Sequence, residues 1–143
     1  MYLVDLARQL GSALSLESQL FDVTGRWLHV LGDTAAVVYF GDRCARHGDH
    51  MQLLSERLPV VNTPGFDAAP TAPNPHDATM TALRSAIPGS DDAMSCYYGA
   101  LDTLIEIYRS WDTATDPLVD GPTAHLGARL ALDCVTMRTP LEA

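Results

Sequence analysis

The sequence predicts an all-α helical bundle, and three observations carry that reading. Apolar residues recur in steps of three and four along most of the 143 residues, which is the spacing that gives a helix one buried stripe. No stretch alternates apolar and polar residues with period two between turns, so no strand is predicted. Hydrophobic residues make up 47% of the chain and charged residues 19%, enough apolar material for a core. A chain of this length hides roughly two thirds of its unfolded surface and needs no disulfide or metal staple to fold. One domain spanning residues 1–143 is expected.

The first eleven residues, apolar at Leu3, Leu6 and Leu10, read as a short helix set off at Gly11. Leu16, Leu20, Val23, Trp27 and Val30 form the stripe of the next helix, closed by Gly32, with Asp22 and Arg26 paired on its wet side. Asp33 is a good N-cap for a helix running to Leu58 and ended by Pro59. Its stripe is Val37, Phe40, Cys44, His47, Met51, Leu54 and Leu58. With so short a connection, these two helices should form an antiparallel hairpin.

Five prolines then punctuate Pro59 to Pro75, the composition of a long crossing loop. Asn74-Pro75 opens a short helix with Met80, Leu83 and Ile87 inward, stopped by Pro88-Gly89. Asp91 or Asp92 caps a helix striped by Met94, Tyr97 or Tyr98, Leu101, Leu104 with Ile105, and Tyr108, ending near Asp112. Asp120-Gly121-Pro122 opens the last helix, whose inward line is Leu126, Leu130, Cys134 and Met137.

Charge and cysteine usage exclude several function classes. The net charge of −9 repels phosphate backbones and anionic lipid, so neither nucleic acid nor membrane is an expected partner. All nine basic residues are Arg, so no Lys is present for a Schiff base or a phosphate loop. Cys44, Cys96 and Cys134 fall on helical stretches without C-x-x-C spacing and read as small hydrophobes. No apolar run approaches the ~18 residues of a membrane span, and Met1 to Arg8 lack the pattern of a signal peptide. A cytoplasmic location is expected.

Two hairpinned helices, a long Pro-rich crossing and two further helices resemble the ferritin-like four-helix bundle, with one additional short helix. More narrowly, the stretch from Phe40 to Pro59, with His47-Gly48-Asp49-His50 inside it and Glu56-Arg57-Leu58-Pro59 at its end, resembles a segment of small ferritin-like proteins from actinobacteria. Asp116-Pro117 followed by Asp120-Gly121-Pro122-Thr123 resembles the start of their final helix. The resemblance implies the fold and a setting in bacterial secondary metabolism.

Di-iron enzymes of that fold take a Glu from each of two helices and a Glu-x-x-His from each of the other two. None of the four glutamates here has a His three residues later, and no Asp-x-x-His exists, so a standard di-iron site is not expected. What remains is the pair His47 and His50. His47 sits on the buried stripe and His50 along its flank, so the two could chelate one divalent ion given a third ligand. Glu17, Asp102, Glu106, His125 and Asp133 are the candidates for it. The plainer reading makes His47 a hydrogen-bonded core residue, pairs His50 with Asp49, Glu56 or solvent, and neutralises Asp133 with Arg129 four residues earlier. The tyrosines Tyr97, Tyr98 and Tyr108 read as packing, or as the lining of a ligand cavity.

Three functions follow. The sequence favours a partner subunit or pseudoenzyme of a secondary-metabolite biosynthetic enzyme, with no cofactor. The alternative is a metal-dependent oxidase or hydroxylase with iron, or another divalent transition metal, on His47, His50, Glu17 and Glu106. The third is a metal-free small-molecule-binding tailoring enzyme. Apolar Leu28, Leu53 and Leu132 lie off the main stripes, so a homodimer or a hetero-complex is expected to cover them.

Overall fold

The computed structural model describes residues 3–61, 77–114 and 117–141 and places them in five helices. These are α1 (Leu3–Trp27), α2 (Thr34–Val61), α3 (Asp77–Ser85), α4 (Asp91–Ala114) and α5 (Pro117–Met137). No strand occurs among the described residues, and no helix there is long and apolar enough to cross a membrane. Of the Pro-rich crossing loop expected from Pro59 to Pro75, residues 59–61 belong to α2 and the rest, with Asn74-Pro75, lies outside the described residues.

The first departure from the sequence reading is α1, which is continuous through Gly11 where a break was expected. Ala7, Leu10, Ala13, Leu16 and Leu20 form one fully buried line across that position. Packing along this line outweighs the ~1 kcal/mol that a glycine costs a helix interior. The helix also stops earlier, at Trp27, where the carbonyls of Arg26 and Trp27 take up the amides of His29, Val30 and Leu31. Val30, read as inward, is therefore 66% exposed.

Asp33 caps α2 as expected, its side chain accepting from the Ala35 amide at 3.3 Å. The helix runs past Pro59 to Val61. A proline in the last turn removes one backbone bond and leaves the turns before it intact. Met80 and Leu83 of α3 are buried, but Ile87 is 75% exposed because the helix ends before its stripe reaches that residue.

Ser90, not Asp91 or Asp92, caps α4: its hydroxyl accepts from the Ala93 amide at 3.1 Å. The two aspartates occupy the first turn, where negative charge favours a helix. The helix passes Asp112 and ends at Ala114. The last helix starts at Pro117, and Pro122 lies inside it on the exposed side.

Packing follows the hairpins: α1 lies along α2, α4 along α5, and α3 covers α4. One core cluster draws on all five helices, from Leu16 and Leu54 to Leu83, Tyr108 and Cys134. Leu28 and Leu53, expected to need a covering chain, are partly buried against this core, whereas Leu132 is 69% exposed. At Gly127 the α4 and α5 backbones come so close that an added Cβ would stand 2.7 Å from the Tyr108 carbonyl oxygen. Along the other seam, Tyr39 of α2 donates to the Thr139 carbonyl at 2.7 Å and Arg43 to that of Met137 at 3.2 Å. These bonds tie α2 to the end of α5 and set the register of the residues between the two helices.

Candidate functional site

The polar interruptions of the helix stripes meet in the middle of the bundle. On α1, Glu17 follows Ala13 by four residues and precedes Leu20 by three, so it points inward with them. On α2, His47 and His50 stand three apart and share a face. On α4, Tyr97 and Tyr108 are eleven apart, about three helical turns, and point to the same side. Asp133 arrives from α5. Glu17 and His47 are fully buried and His50 is 2% exposed.

Both imidazoles turn Nδ1 toward the Glu17 carboxylate, one to each oxygen. His47 Nδ1 lies 2.6 Å from Oε2 and His50 Nδ1 lies 2.8 Å from Oε1. The Tyr108 hydroxyl donates to Oε1 at 2.6 Å. The opposite nitrogens are held as well: His47 Nε2 pairs with the Tyr97 hydroxyl at 2.8 Å and His50 Nε2 with Asp133 Oδ2 at 2.5 Å. Beyond Asp133 stands Arg46, hydrogen-bonded to its other oxygen and to Asp42.

Electrostatics follow from these contacts. Burial alone would raise the Glu17 carboxyl, but the attraction and hydrogen bonds of His47 and His50 override it and hold the group down at about 2. Glu17 is therefore a carboxylate at neutral pH. Burial opposes a proton on His50, yet its bonds to Glu17 and Asp133 raise its pKa above the usual imidazole value. Burial pushes the Tyr97 and Tyr108 hydroxyls well up, with the Glu17 charge adding to the effect. Both phenols stay protonated.

One ligand atom from each of Glu17, His47 and His50 lies within 4.8 Å of the other two. An ion with bonds of about 2.1 Å sets its ligands roughly 3 to 4 Å apart. The two imidazole-to-carboxylate contacts, at 2.6 and 2.8 Å, are hydrogen bonds shorter than that, so an ion would take the place of both. Two imidazole nitrogens and a carboxylate suit iron, zinc or manganese. In metal sites the free nitrogen of each ligating imidazole is characteristically hydrogen-bonded to a carboxylate or another polar group. Asp133 and Tyr97 stand in those positions.

Of the residues singled out from the sequence, the structure brings together His47, His50, Glu17 and Asp133. Glu106 is exposed on α4 and stays outside the cluster, because its helical position falls on the wet face between Leu104 and Tyr108. Asp102 is drawn to the surface by Arg138 at 2.6 Å, and His125 is exposed on α5. Asp133 pairs with Arg46 and His50 across the helix seam, not with Arg129 on its own helix. His50 likewise pairs with Glu17 and Asp133, not with Asp49 or Glu56. The two tyrosine hydroxyls, on residues that read from the sequence as packing or as a cavity wall, complete the polar cluster. Their signal was the eleven-residue spacing on a stripe facing His47.

Comparison of the chain with protein-family models, with curated proteins and with solved structures finds no match in any of the three.

Proposed function

We propose that the chain is a ferritin-like bundle holding one divalent transition-metal ion on Glu17, His47 and His50, and that it acts as a metal-dependent oxidase or hydroxylase. The observation that carries this reading is the convergence of three buried ligand atoms within 4.8 Å, with both distal imidazole nitrogens held from behind. Two histidines and one carboxylate are the donor set of mononuclear iron oxygenases, and iron bound this way supplies oxidation by dioxygen. The rest of the chemistry belongs to the protein. Glu17 brings the negative charge, while Asp133 and Tyr97 fix the two ring orientations and Tyr108 fixes the carboxylate. The helices exclude bulk water from all three ligands.

The test is metal content. Protein purified without chelator, or chelated and then titrated anaerobically with iron(II), should approach one ion per chain. His47→Ala and His50→Ala should each abolish that binding while the helical spectrum is kept. Protein that takes up well below one equivalent of iron, zinc or manganese overturns the reading.

One observation favours the other function. Each imidazole nitrogen and each Glu17 oxygen already has a protein partner, and the charges of Glu17 and Asp133 face those of His50 and Arg46. The network is complete without an ion, as it would be in a pseudoenzyme serving as partner subunit of a biosynthetic enzyme. Protein that stays metal-free in the titration and co-purifies with such an enzyme supports that reading.

A further inference from the structure

The seam between α2 and α5 is stitched at intervals by polar contacts. At one end Arg43 donates to the Met137 and Thr139 carbonyls. One turn along, Arg46 and His50 both bond Asp133, one to each oxygen. At the other end Arg57 donates to the buried Thr123 hydroxyl at 2.8 Å. Between these stitches lies a cleft of about 360 Å³, with Leu53, Arg129 and Thr136 in its wall beside His50 and Asp133. A water occupies about 30 Å³, so the cleft holds several.

Exposure singles out the same place. Glu17, His47, Tyr97 and Tyr108 are fully buried and His50 nearly so, while the Asp133 side chain is 29% exposed. Within the network, Asp133 is therefore the group that meets water. Arg46, which holds its Oδ1, is itself held by Asp42 at 3.1 Å, and Asp42 also binds Arg43 at 3.0 Å. The Arg46 guanidinium thus straps α2 to α5 beside the cluster. A water that is to reach Glu17 from the cleft has to part Asp133 from His50. Asp133 cannot swing aside while Arg46 keeps its other oxygen. Partly exposed ion pairs are weak, which suits a contact that opens and closes; the buried bonds to Glu17 are not of that kind.

We propose that the α2–α5 cleft is the port by which solvent reaches the buried cluster, and that Arg46 is its latch. Arg46 is a positioning residue: it acts through Asp133, which in turn holds His50. That the port also admits a metal ion rests on the metal reading above; that water enters there does not. Arg129 supplies the internal comparison. It stands in the same wall with the same charge, is exposed, and has no ion pair among the described residues.

Proton exchange with water, followed by nuclear magnetic resonance on chelator-treated protein, tests the port without any metal. The probe is the His47 Nδ1 proton, held on Glu17 at 2.6 Å in full burial. The backbone amide of Leu20, in the same core, measures opening of the whole chain. Arg46→Gln should speed exchange at His47 at least about threefold, the order of one partly exposed ion pair, with Leu20 unchanged. Arg129→Gln should leave both rates as in the parent. Thr136→Trp, which sets a large ring in the cleft, should slow exchange at His47. The inference is overturned if Arg46→Gln exchanges at the parent rate, if Arg129→Gln or the Leu20 amide speeds up equally, or if Thr136→Trp slows nothing. A His47 proton already too fast to observe in the parent also overturns it, because a closed latch must slow it. Iron(II) loading of the same proteins keeps the two readings apart, and Arg46→Gln should load faster than the parent. If the chain takes no iron, the metal reading falls and the exchange rates alone decide the port. If it fills with iron at a rate that Arg46→Gln does not change, the metal reading stands and the latch falls.

Discussion

Replacing Glu17 tests whether the buried cluster is wired as described, and two substitutions of similar volume should differ sharply. The carboxylate accepts from the Nδ1 groups of His47 and His50 and from the Tyr108 hydroxyl. Glu17→Leu removes all three acceptor contacts at once and leaves three donors buried without partners. Each orphaned donor costs about 1–3 kcal/mol, and rings can relax to recover part of it. Breaking a buried ion pair from one side costs about 3–5 kcal/mol, so the expected loss is of that order. For a domain of this size it corresponds to a fall of about 10–20 °C in the melting temperature.

Glu17→Gln should cost less, about 1–3 kcal/mol. Its amide oxygen can still accept from His50 and Tyr108, while its NH2 group faces His47 Nδ1. His47 can answer by moving its proton to Nε2, because the Tyr97 hydroxyl there is able to accept as well as donate. The loss that remains is one negative charge beside His50. Urea unfolding of chelator-treated protein, followed by far-ultraviolet circular dichroism, measures both variants against the parent. Equal stability of all three proteins, or a glutamine variant worse than the leucine one, would refute the wiring.

Three further outcomes are expected. Metal-free protein should be most stable between about pH 4.5 and 6.5. Glu17, held down at about 2 from 4.5, contributes stability that is present above pH 4.5 and lost as pH falls toward 2. His50, raised above 6.5, contributes stability that is complete below that pH and lost as pH rises through its folded value. Melting temperatures across pH 3–9 check both limbs, and a flat profile counts against the pair. Gly127→Ala should destabilise by about 1–3 kcal/mol, since its Cβ would stand 2.7 Å from the Tyr108 carbonyl oxygen and 3.2 Å from Trp111; thermal melting reads this directly. Ser90→Ala should cost about 1 kcal/mol through loss of the α4 cap, while Asp91→Ala should cost less, and urea midpoints rank the two.

The helices were legible because their stripes are regular, and their ends were less so because tertiary packing overrides local signals. Gly11 reads as a break on propensity, yet the buried line from Ala7 to Leu20 carries the helix through it. Pro122 reads as a first helical residue, but its exposed ring is tolerated inside α5. Ser90 stands beside two aspartates, and both residue types cap helices. Only the Oγ bond to Ala93 distinguishes them. Leu28 and Leu53 lie off the stripe of each helix taken alone, yet both are partly buried, because a hairpin and a crossing helix together cover a wider face than one stripe.

The cluster follows a rule that works between helices and not within them. His47 stands where the stripe of α2 calls for an apolar residue, Glu17 lies beside the stripe residue Leu16 on α1, and the Tyr97 hydroxyl sits on the stripe of α4; each taken singly has an ordinary explanation. Three such exceptions on three helices are not independent, because a polar group that reaches a bundle core must find its partner there or lose about 1–3 kcal/mol. Any one of them therefore demands the others. Glu106, Asp102 and His125 lie off the stripes of their helices and stay outside the cluster. Asp133 also lies off its stripe, beside Cys134, yet belongs to the cluster. His50 on the flank of α2 needed an acceptor at the seam, and Arg46 on the same helix supplies the charge that lets a carboxylate sit there.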